Sequence, residues 1–247
     1  VEYQDALAVL GVGTAHPGGL DSTMMWIKEI PWTNSMSVLD VGCGTGRSLL
    51  EIKRRAGCTV CGVDVRSKMI AKAEKRAAQL GVTAKWLVAD AESLPFGDEA
   101  FDVVVTESVN VFLQPGNALQ EYYRVLKQGG WYVDVEMLTL APVPPEWKSS
   151  AMQVYGAKLV PDQSEWKRLY RAAGFVDLRV LGTRAVVPEQ MMETDQKYPD
   201  EVNLADNHAY ANEELVHVLS ANAAWLEKHH KWLGYGVFLM RKPKDWA

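Results

Sequence analysis

The sequence is poor in cysteine: three thiols, Cys43, Cys58 and Cys61, in 247 residues. So small and odd a number argues against a disulfide framework and for a reducing, cytoplasmic compartment. Cys58 and Cys61 form one C-x-x-C, but a lone pair supplies only half of a typical zinc site, so no metal is expected. No apolar run reaches the ~18 residues that would suggest a membrane span. The opening stretch, VEYQDALAVLGVG, lacks the basic region and cleavage site of a signal peptide. A basic face is missing too. The formal charge is −5, and the 26 lysines and arginines are scattered, with only short clusters such as KRR at 53–55. That argues against a nucleic-acid partner. Repeats and low-complexity tracts are absent. What remains, 48% hydrophobic and 23% charged, is ordinary for a globular protein.

From residue 38 onward, apolar runs of strand length alternate with segments of helical periodicity. Strands are expected at 38–41, 59–65, 84–89, 101–106, 130–136, 175–181 and 235–241. Blocks such as FDVVVT suit strands covered on both faces. Between them, 67–80 carries Met69, Ile70, Ala73, Ala77 and Leu80 at helical spacing and stops at Gly81. A helix over 115–128 opens on proline and closes on a glycine pair, and another over 163–173 precedes Gly174. The alternation predicts an α/β fold, a doubly wound, mostly parallel sheet. Segments 1–37, 139–161 and 182–233 fall outside it. With helices expected at 21–30 and 212–232, they read as covers on a single domain spanning 1–247.

The stretch LDVGCGTG ends the first strand in three glycines, Gly42, Gly44 and Gly46. Such a loop brings backbone N–H groups close to a ligand, commonly a phosphate. Asp40, two residues before the first glycine, would repel a pyrophosphate in a low-dielectric cleft. S-adenosylmethionine (SAM) has no phosphate and carries a cationic sulfonium and ammonium beside one carboxylate. Asp64 closes the second strand, where an acid can hold ribose hydroxyls, and Asp90 follows the third, where one can accept from an adenine amine.

VLDVGCGTGRS, VCGVDVRSKMI, ADAESLPFGDEAFDVVVTESV and EYYRVLKQGGWYVDVE resemble the successive motifs of class I SAM-dependent methyltransferases, closest to the group of ubiquinone/menaquinone and small-molecule enzymes. The likeness covers about 37–136 and the last strand. It implies a Rossmann-like, seven-stranded sheet with an antiparallel final strand. It also implies SAM (product S-adenosylhomocysteine) at Asp40, Gly42, Gly44, Thr45, Gly46, Asp64, Met69, Asp90, Ala91, Thr106 and Glu107, with Cys43, Val65 and Glu92 beside them. Individually these residues also have plain structural uses: a packing glycine, a strand-end cap, a core methionine.

Methyl transfer from a sulfonium needs orientation and exclusion of water, and a base only where the acceptor must lose a proton. In HPGGL, before a helical stretch, His16 is a catalytic candidate, and the segment 1–30 is expected to be a mobile lid. Glu107 is the second catalytic candidate. Asn110, Glu136, Tyr155, His208 and Tyr210 are candidates for the acceptor side, while His229 and His230 are expected on a solvated helix face. Methylation of nucleic-acid bases is disfavoured, because TESVN stands where such enzymes carry an Asn/Asp-Pro-Pro-aromatic motif. The expected partner is a small-molecule acceptor, with the oligomeric state open. A nicotinamide-dependent oxidoreductase and a non-catalytic SAM-binding protein remain alternatives.

Overall fold

Short β-branched runs favour extended backbone, and here they line up side by side. In a computed structural model, which describes residues 2–187, 194, 196–207 and 209–244 (for Tyr210 the backbone alone), seven strands form one sheet. They are β1 (Ser37–Val41), β2 (Thr59–Asp64), β3 (Lys85–Val88), β4 (Phe101–Glu107), β5 (Leu126–Thr139), β6 (Val176–Ala185) and β7 (Leu233–Arg241). Their order is β3-β2-β1-β4-β5-β7-β6. The pairs from β3 through β5 are parallel, and β7 runs antiparallel between β5 and β6. Strand order reverses between β1 and β4, which sets a ligand crevice beyond their carboxyl ends. Val38, Leu39, Val103, Val104 and Val105 are wholly buried, as central strands covered on both faces require.

The helices are α1 (Tyr3–Leu10), α2 (Gly19–Ile27), α3 (Arg47–Ala56), α4 (Ser67–Leu80), α5 (Pro115–Val125), α6 (Pro145–Tyr155), α7 (Gln163–Ala172) and α8 (Glu213–His229). Helix α5 is shorter than the expected 115–128. Leu126 already pairs with Phe101 in the sheet, and the register then shifts so that Trp131 faces Val103. Gly129, at φ +70°, serves that irregular stretch of β5 and not a helix end. Helix α7 starts on a capping box in which Asp162 and Glu165 bond each other's backbone N–H groups.

The covers are built into the molecule. Helix α1 packs on α6 and α8, and α2 packs on β5, β7 and α3. Trp26, Ser22 and Thr23 of α2 are fully buried, so 19–27 belongs to the core, contrary to the expectation of a lid over 1–30. An aromatic cluster joins the other covers: Tyr3 meets Tyr155 at 5.4 Å, Tyr155 meets Trp225 at 5.7 Å, and Trp147 meets Trp225 at 5.3 Å. His229 stacks on Trp225 at 4.9 Å, so it is not on a solvated face.

Candidate cofactor and acceptor site

Side chains alternate across a sheet with period two. Asp40 pairs in register with Gly62 of β2 and Val105 of β4. Asp64 and Glu107 lie two residues beyond those partners, so all three carboxylates share one face at the carboxyl edge. They line one chamber with His16, the loop residues Gly42, Cys43, Gly44 and Thr45, and with Arg66, Met69 and Ser108.

The glycines divide the labour of the loop. All three have positive φ. A Cβ at Gly42 would stand 2.4 Å from Val109, and one at Gly46 would stand 2.4 Å from Trp86, so these two permit close packing. A Cβ at Gly44 would meet nothing within 4 Å, and there the backbone faces open space. The Gly44 N–H donates to Asp64 Oδ2 (3.0 Å), and the Arg66 N–H donates to Oδ1 (2.9 Å). Behind the loop, Arg76 donates to the Thr45 carbonyl (3.0 Å) and hydroxyl (3.1 Å) and to Asp200 (2.9 Å). Lys72 donates to the carbonyls of Val9 and Leu204. The sequence reading missed both cations. Their signal was position, since 72 and 76 fall on the stripe that carries Met69, Ala73, Ala77 and Leu80.

Asp40 is the electrostatic centre. It is only 4% exposed, and its carboxylate accepts no hydrogen bond from the described residues. Burial pushes its carboxyl well above the usual range, and the charges of Glu107 and Asp64 push further. Burial also raises Asp64, against the pull of the Arg66 and Gly44 N–H groups. Burial first, then Asp40 and Asp64, raise the Cys43 thiol well above its ordinary value, which keeps it in the unreactive thiol form. Glu107 is held from the N-terminal cover: Thr23 Oγ1 donates to Oε1 at 2.7 Å and Trp26 Nε1 at 3.1 Å, while His16 Nε2 stands 3.2 Å from Oε2. His16 Nδ1 makes only long contacts, 3.3 Å to Ser22 Oγ and 3.4 Å to the Pro17 carbonyl.

Three expected site residues, Thr106, Asn110 and Glu136, belong to a network on the other face of the sheet. Thr106 pairs with Asp134, and Glu136 lies two residues further on, so period two turns these strand residues away from Asp40 and Glu107. The Asp134 carboxylate accepts from Thr106 (2.8 Å), Asn110 (2.7 Å) and Tyr170 (2.8 Å). Burial pushes it up to about 6. Glu136 accepts from the backbone N–H groups of Val109, Asn110 and Met137 at 2.8 to 3.1 Å, and burial raises it well above the usual range. These bonds fix the turn in which Ser108 takes φ +61°. Asp90 is exposed and closes its own turn on the Glu92 N–H (2.9 Å). Glu92 clasps Gln114 and Asn117 at the start of α5. Ala91 is packed in the core, and Val65 is 60% exposed. None of these four lines the chamber. His208 and the Tyr210 side chain lie outside the described residues.

Tyr155 lines a second chamber with Tyr3, Phe112, Met137, Asn222, Leu226 and Leu233. Gln4, Ala15 and Ser108 line both chambers, so the two adjoin. Cys58 and Cys61 are free and buried, and no metal-binding group of His, Cys, Asp and Glu occurs among the described residues.

Residues 38–130 match the family model of a methyltransferase domain. The chain is 34% identical over 189 residues to an uncharacterized methyltransferase, YodH, of Bacillus subtilis (strain 168), covering 76% of this chain and 79% of that one. It is 26% identical over 232 residues to the ubiquinone/menaquinone biosynthesis C-methyltransferase UbiE of Cereibacter sphaeroides, covering 92% and 85%. Haemonchus contortus phosphoethanolamine N-methyltransferase 2, solved with phosphomonomethylethanolamine and S-adenosylhomocysteine, superposes with a TM-score of 0.75 at 18% identity. That match takes in 97% of this chain and 57% of the other. The chain belongs to the class I SAM-dependent methyltransferases. Its cofactor is S-adenosylmethionine, and the nicotinamide and non-catalytic alternatives fall away.

Proposed function

We propose that the enzyme methylates a small molecule, with SAM in the chamber of Asp40, Gly44 and Asp64 and the acceptor in the adjoining aromatic chamber. One observation carries the reading: a buried carboxylate, Asp40, that no group among the described residues satisfies. Such a group calls for a cation, and a second anion beside it would be repelled. Gly44, where a Cβ would meet nothing within 4 Å, leaves room for the ligand to approach the loop, its own N–H being engaged by Asp64. Asp64 remains the candidate for the ribose hydroxyls, and Met69, in the chamber wall, for the adenine.

Bound SAM supplies an electrophilic methyl carbon on a neutral leaving group. The chain's own residues bind, orient and exclude water. In this reading His16 and Glu107 are the catalytic pair. Glu107, fixed by Thr23 and Trp26, orients the imidazole through Nε2. Nδ1, with long contacts only, is the nitrogen left to take a proton from the acceptor. The scattered cations favour a small molecule over nucleic acid, and the free thiols favour the cytoplasm. The described chain works as one catalytic domain, with 1–37, 139–161 and 182–233 as covers on the acceptor side. His16→Ala tests the catalytic assignment. It should retain S-adenosylhomocysteine affinity, lower turnover about 10²-fold and flatten the pH–rate profile. Full turnover in the variant would remove His16 from the mechanism.

A further inference from the structure

We infer that the acceptor is an uncharged, mainly apolar molecule bearing an oxygen that accepts a hydrogen bond from Asn222; this rests on the methyl-transfer reading above. The wall of the second chamber excludes charge. Phe112, Met137, Leu226 and Leu233 supply apolar surface, and no Asp, Glu, Lys, Arg or His stands among its described lining residues. A phosphate or free ammonium placed there would lose its hydration with no opposite charge among the described lining residues to compensate it.

Among the polar residues of that wall, Asn222 stands out. It lies on the buried face of α8, in line with Leu215, Trp225 and Leu226, where an apolar residue would be expected. It is 9% exposed, and its Nδ2 is buried without a hydrogen-bond partner among the described residues. The Tyr155 hydroxyl lies beside the amide, yet Nδ2 makes no hydrogen bond of ordinary geometry to it. A buried donor left unpaired is costly, and native structures seldom keep one without a use. An acceptor oxygen would satisfy it. The stretch of α8 that carries it is anchored: Trp225, one turn on, packs edge-on to Tyr155 at 5.7 Å and donates from Nε1 to Ser150 Oγ at 2.9 Å. A pre-positioned donor discriminates between ligands with and without the matching oxygen far better than an apolar pocket discriminates a missing methylene.

The test uses the whole protein saturated with S-adenosylhomocysteine and three probes of one shape: 1-acetylnaphthalene, 1-ethylnaphthalene and 1-naphthoate. Binding is measured by calorimetry or ligand-observed NMR. The ketone should bind about tenfold more tightly than the hydrocarbon and at least tenfold more tightly than the carboxylate. Asn222→Leu should erase the preference for the ketone over the hydrocarbon while leaving S-adenosylhomocysteine affinity within twofold. The inference is overturned if the carboxylate binds as well as the ketone, if no probe binds, or if the variant keeps the preference. The ranking in the wild-type protein decides the matter should the variant not fold. Failure of the methyl-transfer reading would show separately, as absence of S-adenosylhomocysteine binding before any probe is added.

Discussion

At the scale of single residues, the site is a problem of uncompensated negative charge. Asp40 is buried, unbonded by the described residues and raised well above the usual carboxyl range, so the free protein keeps that proton to higher pH than an exposed carboxyl would. A cationic ligand favours the ionised form. SAM binding should therefore release a proton, and affinity should strengthen as pH rises. Calorimetry in buffers of different ionisation enthalpy reads that release, which Asp40→Asn should abolish. Asp64 is already shaped by two backbone N–H groups, and its replacement by alanine should cost SAM affinity more than stability. A charge-assisted hydrogen bond contributes roughly 1.5–3 kcal/mol, so a loss of ten- to a hundredfold is expected in a titration with SAM. Normal binding by Asp64→Ala would reduce it to a support of the loop.

At the scale of elements, β5 governs what the sequence could reveal. The glycine loop, the acids at strand ends and the seven strands were legible because each is a local pattern of apolar runs and punctuation. The face on which a residue lies at the end of β4 or β5 was not, since it follows from pairing between distant segments. Thr106 and Glu107 are adjacent in sequence and point to opposite sides of the sheet. Register with Asp134 sends Thr106, Asn110 and Glu136 to a buried network away from the chamber. Arg76 of α4 and Asn222 of the cover helix α8 were equally hard to see, because each sits on a helix face that otherwise reads as apolar. The same network yields a prediction. Burial raises Asp134 from its ordinary 3.8 to about 6, so the native state keeps a proton that the unfolded chain gives up. Stability from this group is present below about pH 4 and is lost as pH rises through 6. Denaturant unfolding of the wild-type protein and of Asp134→Asn at pH 4, 5, 6 and 7 should show the wild type losing stability relative to the variant across that range. A constant difference would rule the effect out.

At the scale of the whole molecule, the two chambers share a wall. Gln4, Ala15 and Ser108 line both, and α1, which carries Gln4, is tied to the cofactor side through Lys72 and the Val9 carbonyl. Occupation of the first chamber therefore shapes the second, and the cofactor should bind before the acceptor. Initial-rate kinetics should give intersecting lines, with S-adenosylhomocysteine competitive against SAM and noncompetitive against the acceptor. Parallel lines would contradict this.

The placement of β7 has a bearing on how the molecule is made. β6 lies at the sheet's edge, and its one neighbour is a strand that begins at Leu233. On the ribosome, β6 emerges with nothing to pair with, and the far edge of β5 stays open, until residues 186–232 have followed. A nascent chain at that stage presents two unpaired strand edges, the kind of surface on which chaperones act and aggregation starts. Synthesis of β7 closes both at once, so the sheet is completed in a single late step.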